Sequence, residues 1–322
     1  MNRTSLILAL LAIGSIGISQ SKDEIVYGTD TKIIYDICFT DKGEALGIAD
    51  NNSIKVYSTA SDKLLNEFKN GHRLQILTID ISKDSSLLVS GGKDSTIVIW
   101  DFVSNRILKT LTYQKGIITS VKLSPDRKYL ASGGTDNKVF LYDIEKNEVA
   151  FEFTDHTDDI TSVIFSSDGK LIASSGADKM INIYDVETRK SLSHLKGNNS
   201  WVRDISFNKN DTNLISCGDD SKLIFWNISD IHNIQKYSTV RIGFDWILCI
   251  DFHSDNQTYV TGGIDGKARI MTQSSSYTAN IGAPVTKVRF KPDEGNHLKI
   301  ALASSGKGVI MLDASKMKFH AH

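Results

Sequence analysis

The sequence predicts an all-β fold, a seven-bladed β-propeller built from four-stranded antiparallel blades. Three observations predict it. Ser90, Ser132, Ser174 and Ser216 stand 42 positions apart, as do Asp94, Asp136, Asp178 and Asp220, and the aromatics Trp100, Tyr142, Tyr184 and Trp226. A period near 40 residues is the length of one propeller blade. Within each copy, short runs alternate apolar and polar residues at period two and are separated by turns rich in Ser, Asp, Gly and Lys, which reads as strands and not helices.

One copy resolves into four strands. Residues 117–123, 129–132 and 138–142 supply the first three of the third blade, and 106–111, 148–153 and 191–195 are the fourth strands of successive blades. Asp126 with Arg127, Asp168 with Gly169 and Lys42 with Gly43 fill equivalent hairpin turns, where such residues accept tight backbone geometry cheaply. Three fainter copies complete the ring. Blade one covers about 33–68, with Gly47 at the Ser position, Asn51 at the Asp position and Tyr57 at the aromatic position. Blade six covers about 242–281, keeps Thr261 and Asp265, places Met271 at the aromatic position and gains about three residues before it. Blade seven starts near Val285 and retains Ser304 and Asp313. Its fourth strand is expected from residues 24–27 in preference to 316–319, because pairing the chain ends in one blade covers open sheet edges.

The third strands end in Trp100-Asp101, Tyr142-Asp143, Tyr184-Asp185 and Trp226-Asn227, and Gly71-His72 and Asp155-His156 precede the periodic serines by 18 positions. In these motifs the chain resembles the WD-repeat (tryptophan-aspartate repeat) β-propeller family. The resemblance implies a hydrogen-bonded set of His, Ser, Asp and Trp inside each blade: His72, Ser90, Asp94 and Trp100 in blade two; His156, Ser174 and Asp178, with Tyr184, in blade four; Ser216, Asp220 and Trp226 in blade five, with Asn198 in place of His. Blade three has Gln114 and Tyr142 instead, and a looser network is expected there. Such a set satisfies polar groups whose burial would otherwise be costly.

Composition narrows the function. Lys+Arg 37 against Asp+Glu 38 gives a net charge of −1, so no bulk field favours nucleic acid or an anionic membrane. Residues 1–21 have the layout of a secretory signal peptide: Arg3, an apolar stretch over 6–18 and small residues around Ser19 and Ser21. That stretch is short for a membrane span, and residues 22–322 are read as a single propeller. The expectation is a secreted or secretory-pathway protein without an integral membrane span, with a cytoplasmic adaptor as the alternative. Cys38, Cys217 and Cys249 lie in predicted strands without metal-type spacing and are read as buried small hydrophobes, not a disulfide.

No catalytic constellation, cofactor motif or metal-ligand spacing is present in the sequence. The recurring Gly-Gly pairs fall at the same bend in each blade, and His72 and His156 sit at periodic structural positions. The remaining reading is a non-enzymatic interaction scaffold that binds a peptide or protein. Trp201 and Trp246 fall outside the periodic pattern, just before the first strands of blades five and six. By the family resemblance those loops lie on the top face around the central channel, with Arg203, Asp219, Lys93 and Asp245 as polar neighbours. Buried aromatics and arginine carry most binding hot spots. The rival class is a secreted propeller hydrolase, which would bring carboxylates and histidines together at the channel mouth.

Overall fold

The computed structural model describes residues 25–27, 33–292, 298–317 and 320–321; the expected signal segment lies outside them. These residues form seven antiparallel sheets, each with its strands in chain order apart from the closing strand. Blade two is typical, with Ile76–Ile81, Leu87–Gly92, Ile97–Asp101 and Arg106–Leu111. The tight turns carry the expected left-handed residues, Arg127 at φ 62° and Gly169 at φ 74°. Blade seven is closed by Ile25–Tyr27, in register Ile25 with Met311 and Tyr27 with Val309. The Tyr27 hydroxyl then donates to Asp62 of blade one at 3.0 Å. At the other end of the chain, His320–Ala321 adds to the outer edge of blade six through Ser275 and Ser276.

The apolar cores lie between blades. One cluster joins Val89, Ile97 and Ile99 of blade two to Ile118, Val121 and Leu130 of blade three, and equivalent clusters fill the other junctions around the ring. Each blade is therefore stabilised by its neighbours, as in other stacked-repeat architectures. Cys38, Cys217 and Cys249 are buried in these clusters as free thiols.

A second periodic series ties the innermost strands together. Asp36, Thr78, Ser120, Ser162 and Asp204 also stand 42 apart. Asp36, Thr78 and Ser120 accept the backbone N–H of the next blade at Ile79, Val121 and Val163, at 3.0 to 3.1 Å. Ser162 instead donates to Asp204, which accepts from Ile250 of blade six. The bonds from Ile79, Val121, Val163 and Ile250 satisfy backbone donors at the channel wall.

One register differs from expectation. In blade two Ser90 faces Ile79, and its blade-one counterpart facing Ile37 is Ile48, not Gly47. The bend at Asn51 is shorter than the four-residue bend around Asp94, so counting back from Tyr57 lands one residue early. In blade seven, Leu302 and Leu312 hold the positions of Ser90 and Trp100. Blades one and seven thus replace the polar set by apolar packing.

Candidate functional site: blade networks and the top rim

In blade two the polar set forms a directed chain. The Trp100 indole N–H donates to Ser90 Oγ at 2.9 Å, Ser90 lies 2.8 Å from His72 Nε2, and His72 Nδ1 lies 3.1 Å from Asp94 Oδ1. A single neutral tautomer, protonated on Nδ1, satisfies every link: Ser90 donates to Nε2 and Nδ1–H donates to the carboxylate. Burial pushes the His72 pKa down, against the opposing pull of Asp94. Asp94 also receives N–H donors from Arg73 and Thr96 and the Thr96 hydroxyl. Burial raises its pKa, but these hydrogen bonds outweigh burial and hold it below the usual carboxylate range. Gly71 is required here because a Cβ would stand 2.3 Å from Trp100 Cη2. Blade four repeats the arrangement, with His156 at 2.7 Å from Ser174 and 2.8 Å from Asp178.

Blade three is not loosened. The Gln114 amide donates to Asp136 at 2.9 Å and its carbonyl accepts from Ser132 at 2.9 Å, so Gln spans the same gap as His. Tyr113 occupies the place of Gly71, stacks on Tyr142 at 5.6 Å between ring centroids and brings its hydroxyl within 3.1 Å of Ser132. A smaller aromatic and a larger neighbour exchange volume, and the lost indole donor is replaced. Blade five is the loosened one. Trp226 donates to Ser216 at 3.2 Å and Ser216 donates to Asn198 Oδ1 at 3.1 Å, but buried Asn198 Nδ2 has no partner among the described residues. Asp220 is left with the backbone N–H groups of Asn199 and Lys222.

The same loop leads to the top rim. The Arg73 N–H to Asp94 and Asn199 N–H to Asp220 bonds show how each bend meets the loop entering the blade. Trp201 and Trp246, in two such loops, are 39% and 46% exposed, whereas Trp100 is 1% exposed. The Arg203 guanidinium lies over both exposed rings, 4.6 Å from the Trp201 centroid and 5.4 Å from that of Trp246. Asp219 fixes it through two bonds, Nε to Oδ1 at 2.6 Å and Nη2 to Oδ2 at 2.7 Å. Four of the six expected rim residues therefore form one assembly. Asp245 is exposed beside Trp246 on the same loop. Lys93 lies elsewhere on the mouth, bonded to Gln75 at 2.6 Å and 5.5 Å from the Tyr35 ring centroid.

Two surface features escaped the sequence reading. Phe244, two residues before Trp246, is 89% exposed with Arg241 over its ring. Leu64, Ile107 and Val149, the fourth-strand partners of Tyr57, Trp100 and Tyr142, are exposed on the outer strands of blades one to three, and the corresponding positions of blades four to six are Ser191, Lys236 and Ser276.

The channel wall carries Asp36, Asp80 and Asp251 with Lys122, Lys287 and Arg289, and buried Asp204 lies behind Lys287. Asp36, Asp80, Asp204 and Asp251 each accept a neighbouring strand's N–H, from Ile79, Leu123, Ile250 and Phe290 respectively. Lys122 pairs with Asp80 at 2.7 Å and Lys287 with Asp204 at 3.0 Å. His72 and His156 remain inside their blades.

Comparison with known proteins agrees with this architecture. The family model for the WD domain, G-beta repeat, matches residues 62–101, 105–143, 147–185, 189–227 and 237–270. The chain belongs to the WD-repeat family, whose architecture supports a protein-interaction scaffold. It is 36% identical over 76 residues to the zebrafish (Danio rerio) intraflagellar transport protein 122 homolog, covering 24% of this chain and 6% of that protein. It is 38% identical over 63 residues to the small ribosomal subunit protein RACK1 of Drosophila melanogaster, 20% of each. It is 42% identical over 50 residues to the WD repeat-containing protein 18 of Bos taurus, 16% of this chain and 11% of that protein. The matches thus span a small part of these relatives.

Proposed function

We propose that the propeller is a non-enzymatic scaffold whose top rim binds a peptide or protein partner, with Trp201 and Trp246 as the apolar anchors. The observation that carries this reading is Arg203, held over both exposed indoles by Asp219. Two half-exposed tryptophans fixed by a buttressed guanidinium lose little rotamer freedom on binding, which lowers the cost of association. Phe244 and Asp245 extend the same patch. In keeping with a scaffold, the channel carboxylates accept backbone N–H groups of the wall and His72 and His156 bond to Ser and Asp inside their blades. We also propose that residues 1–21 direct the chain to the secretory route; among the described residues no helix is long and apolar enough to cross a membrane.

The test is affinity purification of the native protein and of a Trp201→Ala, Trp246→Ala variant, with quantitative mass spectrometry of what co-purifies. Loss of a specific partner from the variant supports the rim. Retention there, with loss in a Leu64→Ser, Ile107→Ser, Val149→Ser variant, moves the site to the side of blades one to three. N-terminal sequencing of the native protein tests the secretory proposal, which a start at Met1 refutes.

A further inference from the structure

Below the rim the channel opens into a chamber of about 370 Å³ lined by Tyr35, Asp36, Lys93, Lys122, Arg203, Lys287 and Arg289, together with Thr and Ser side chains. This size lies in the range of small-molecule sites. Five cationic side chains and one carboxylate reach its surface. Three of the cations are neutralised from behind: Lys122 by Asp80, Lys287 by Asp204 and Arg203 by Asp219. Lys93 and Arg289 have no carboxylate within ion-pair distance among the described residues. Lys93 meets only the neutral Gln75 amide and the Tyr35 ring. Arg289 donates from Nη1 to the Val288 carbonyl at 2.9 Å, and its side chain also lines the chamber below, so it stands at the waist of the channel.

A guanidinium removed from bulk water without a bonded counter-ion is costly. The surrounding carboxylates compensate it only at a distance. Asp36 is occupied by the N–H groups of Ile37 and Ile79, Asp251 by that of Phe290, and Asp204 by Ile205, Ile250, Ser162 and Lys287. Their charge keeps Arg289 protonated, raising its pKa against the effect of burial, and among the described residues its planar fork has the Val288 carbonyl but no carboxylate within ion-pair distance. Such a fork matches the oxygens of a phosphate, and a lysine in the same chamber supplies a second charge.

We propose that the upper chamber binds a small multivalent oxyanion, inorganic phosphate or a phosphate ester, seated on Arg289 with Lys93 closing over it. This site adjoins the tryptophan rim through Arg203 but does not depend on the partner proposed for that rim.

The test is calorimetric titration of the full chain with inorganic phosphate, against sodium chloride at matched ionic strength. Saturable heat with phosphate and none with chloride is expected. Arg289→Gln should weaken binding by about thirtyfold or more and Lys93→Gln by roughly three- to tenfold, since truncating one side of a desolvated charge pair costs far more than removing a peripheral one. Lys190→Gln, an equal charge loss on an exposed outer strand, should leave affinity unchanged. Equal responses to phosphate and chloride, or equal affinity in Arg289→Gln and Lys190→Gln, overturn the proposal. If Arg289→Gln does not fold, Arg289→Lys and Lys93→Gln take its place, and wild-type affinity in both overturns it equally.

Discussion

Blades three and five depart from the His-Ser-Asp-Trp pattern at the same position, and only one is weakened. Gln114 reaches both Ser132 and Asp136. Asn198, one methylene shorter, reaches Ser216 alone and leaves its buried Nδ2 without a partner among the described residues. The structural requirement at this position is therefore a donor and an acceptor held far enough apart to span the gap, and imidazole and a long amide both meet it. The loop that carries the short amide also carries Trp201, so the weakened blade adjoins the proposed recognition rim. Local rules are broken most readily where function makes its own demands.

The comparison can be broken most severely from the intact side. Gln114→Asn should reproduce the blade-five defect in blade three and destabilise the protein by about 1–3 kcal/mol, the cost of leaving buried polar groups unpaired. A smaller fall in urea midpoint than in Asn198→Ala would refute the reach argument. In the opposite direction, Asn198→Gln should bridge Ser216 and Asp220 and stabilise blade five by about 1 kcal/mol, seen as slower amide exchange in residues 213–227 and a raised melting temperature.

A third change sharpens the same point through pH. Because the folded pKa of His72 is depressed by burial, the unfolded chain binds the proton more readily, so this contribution is complete above the unfolded value of 6.5 and is lost as pH falls below it toward the folded value. Asp94 and Asp178, also depressed in the folded state, add losses of the same sign below about 3.8. His72→Gln, which copies blade three, should keep most of the stability at pH 7 and flatten the decline in melting temperature between pH 7 and 5. An unchanged slope would show that His72 is not the group responsible. The smallest stability effect is expected at the rim, where Trp201→Ala and Trp246→Ala should each change unfolding free energy by less than about 1 kcal/mol, because these rings are half exposed.

Much of this was legible in the sequence. The 42-residue period gave the strands and the blade count, because residues at fixed spacing must occupy equivalent environments, and the N-terminal closure followed from the need to cover open sheet edges. It also contained the inner ring of Asp36, Thr78, Ser120, Ser162 and Asp204, but small polar residues in a first strand do not announce that their partner is the next blade's backbone. The exchange of Gly71 and Trp100 for Tyr113 and Tyr142 could not be read from residue type, since it depends on two side chains sharing one volume. Phe244 was missed for a different reason: nothing in the period marks a loop residue that touches little. At the rim, Trp201, Trp246, Arg203 and Asp219 were named from sequence, but not the clamp that joins them.

The central claim is that the four tryptophans fall into two classes, with Trp100 and Trp226 holding blades and Trp201 and Trp246 meeting a partner. Hydroxyl-radical footprinting of the native complex and of the isolated propeller tests it directly. The account predicts that oxidation of Trp201 and Trp246 falls strongly in the complex while Trp100 and Trp226 stay protected in both. Equal oxidation of Trp201 and Trp246 with and without the partner would contradict it.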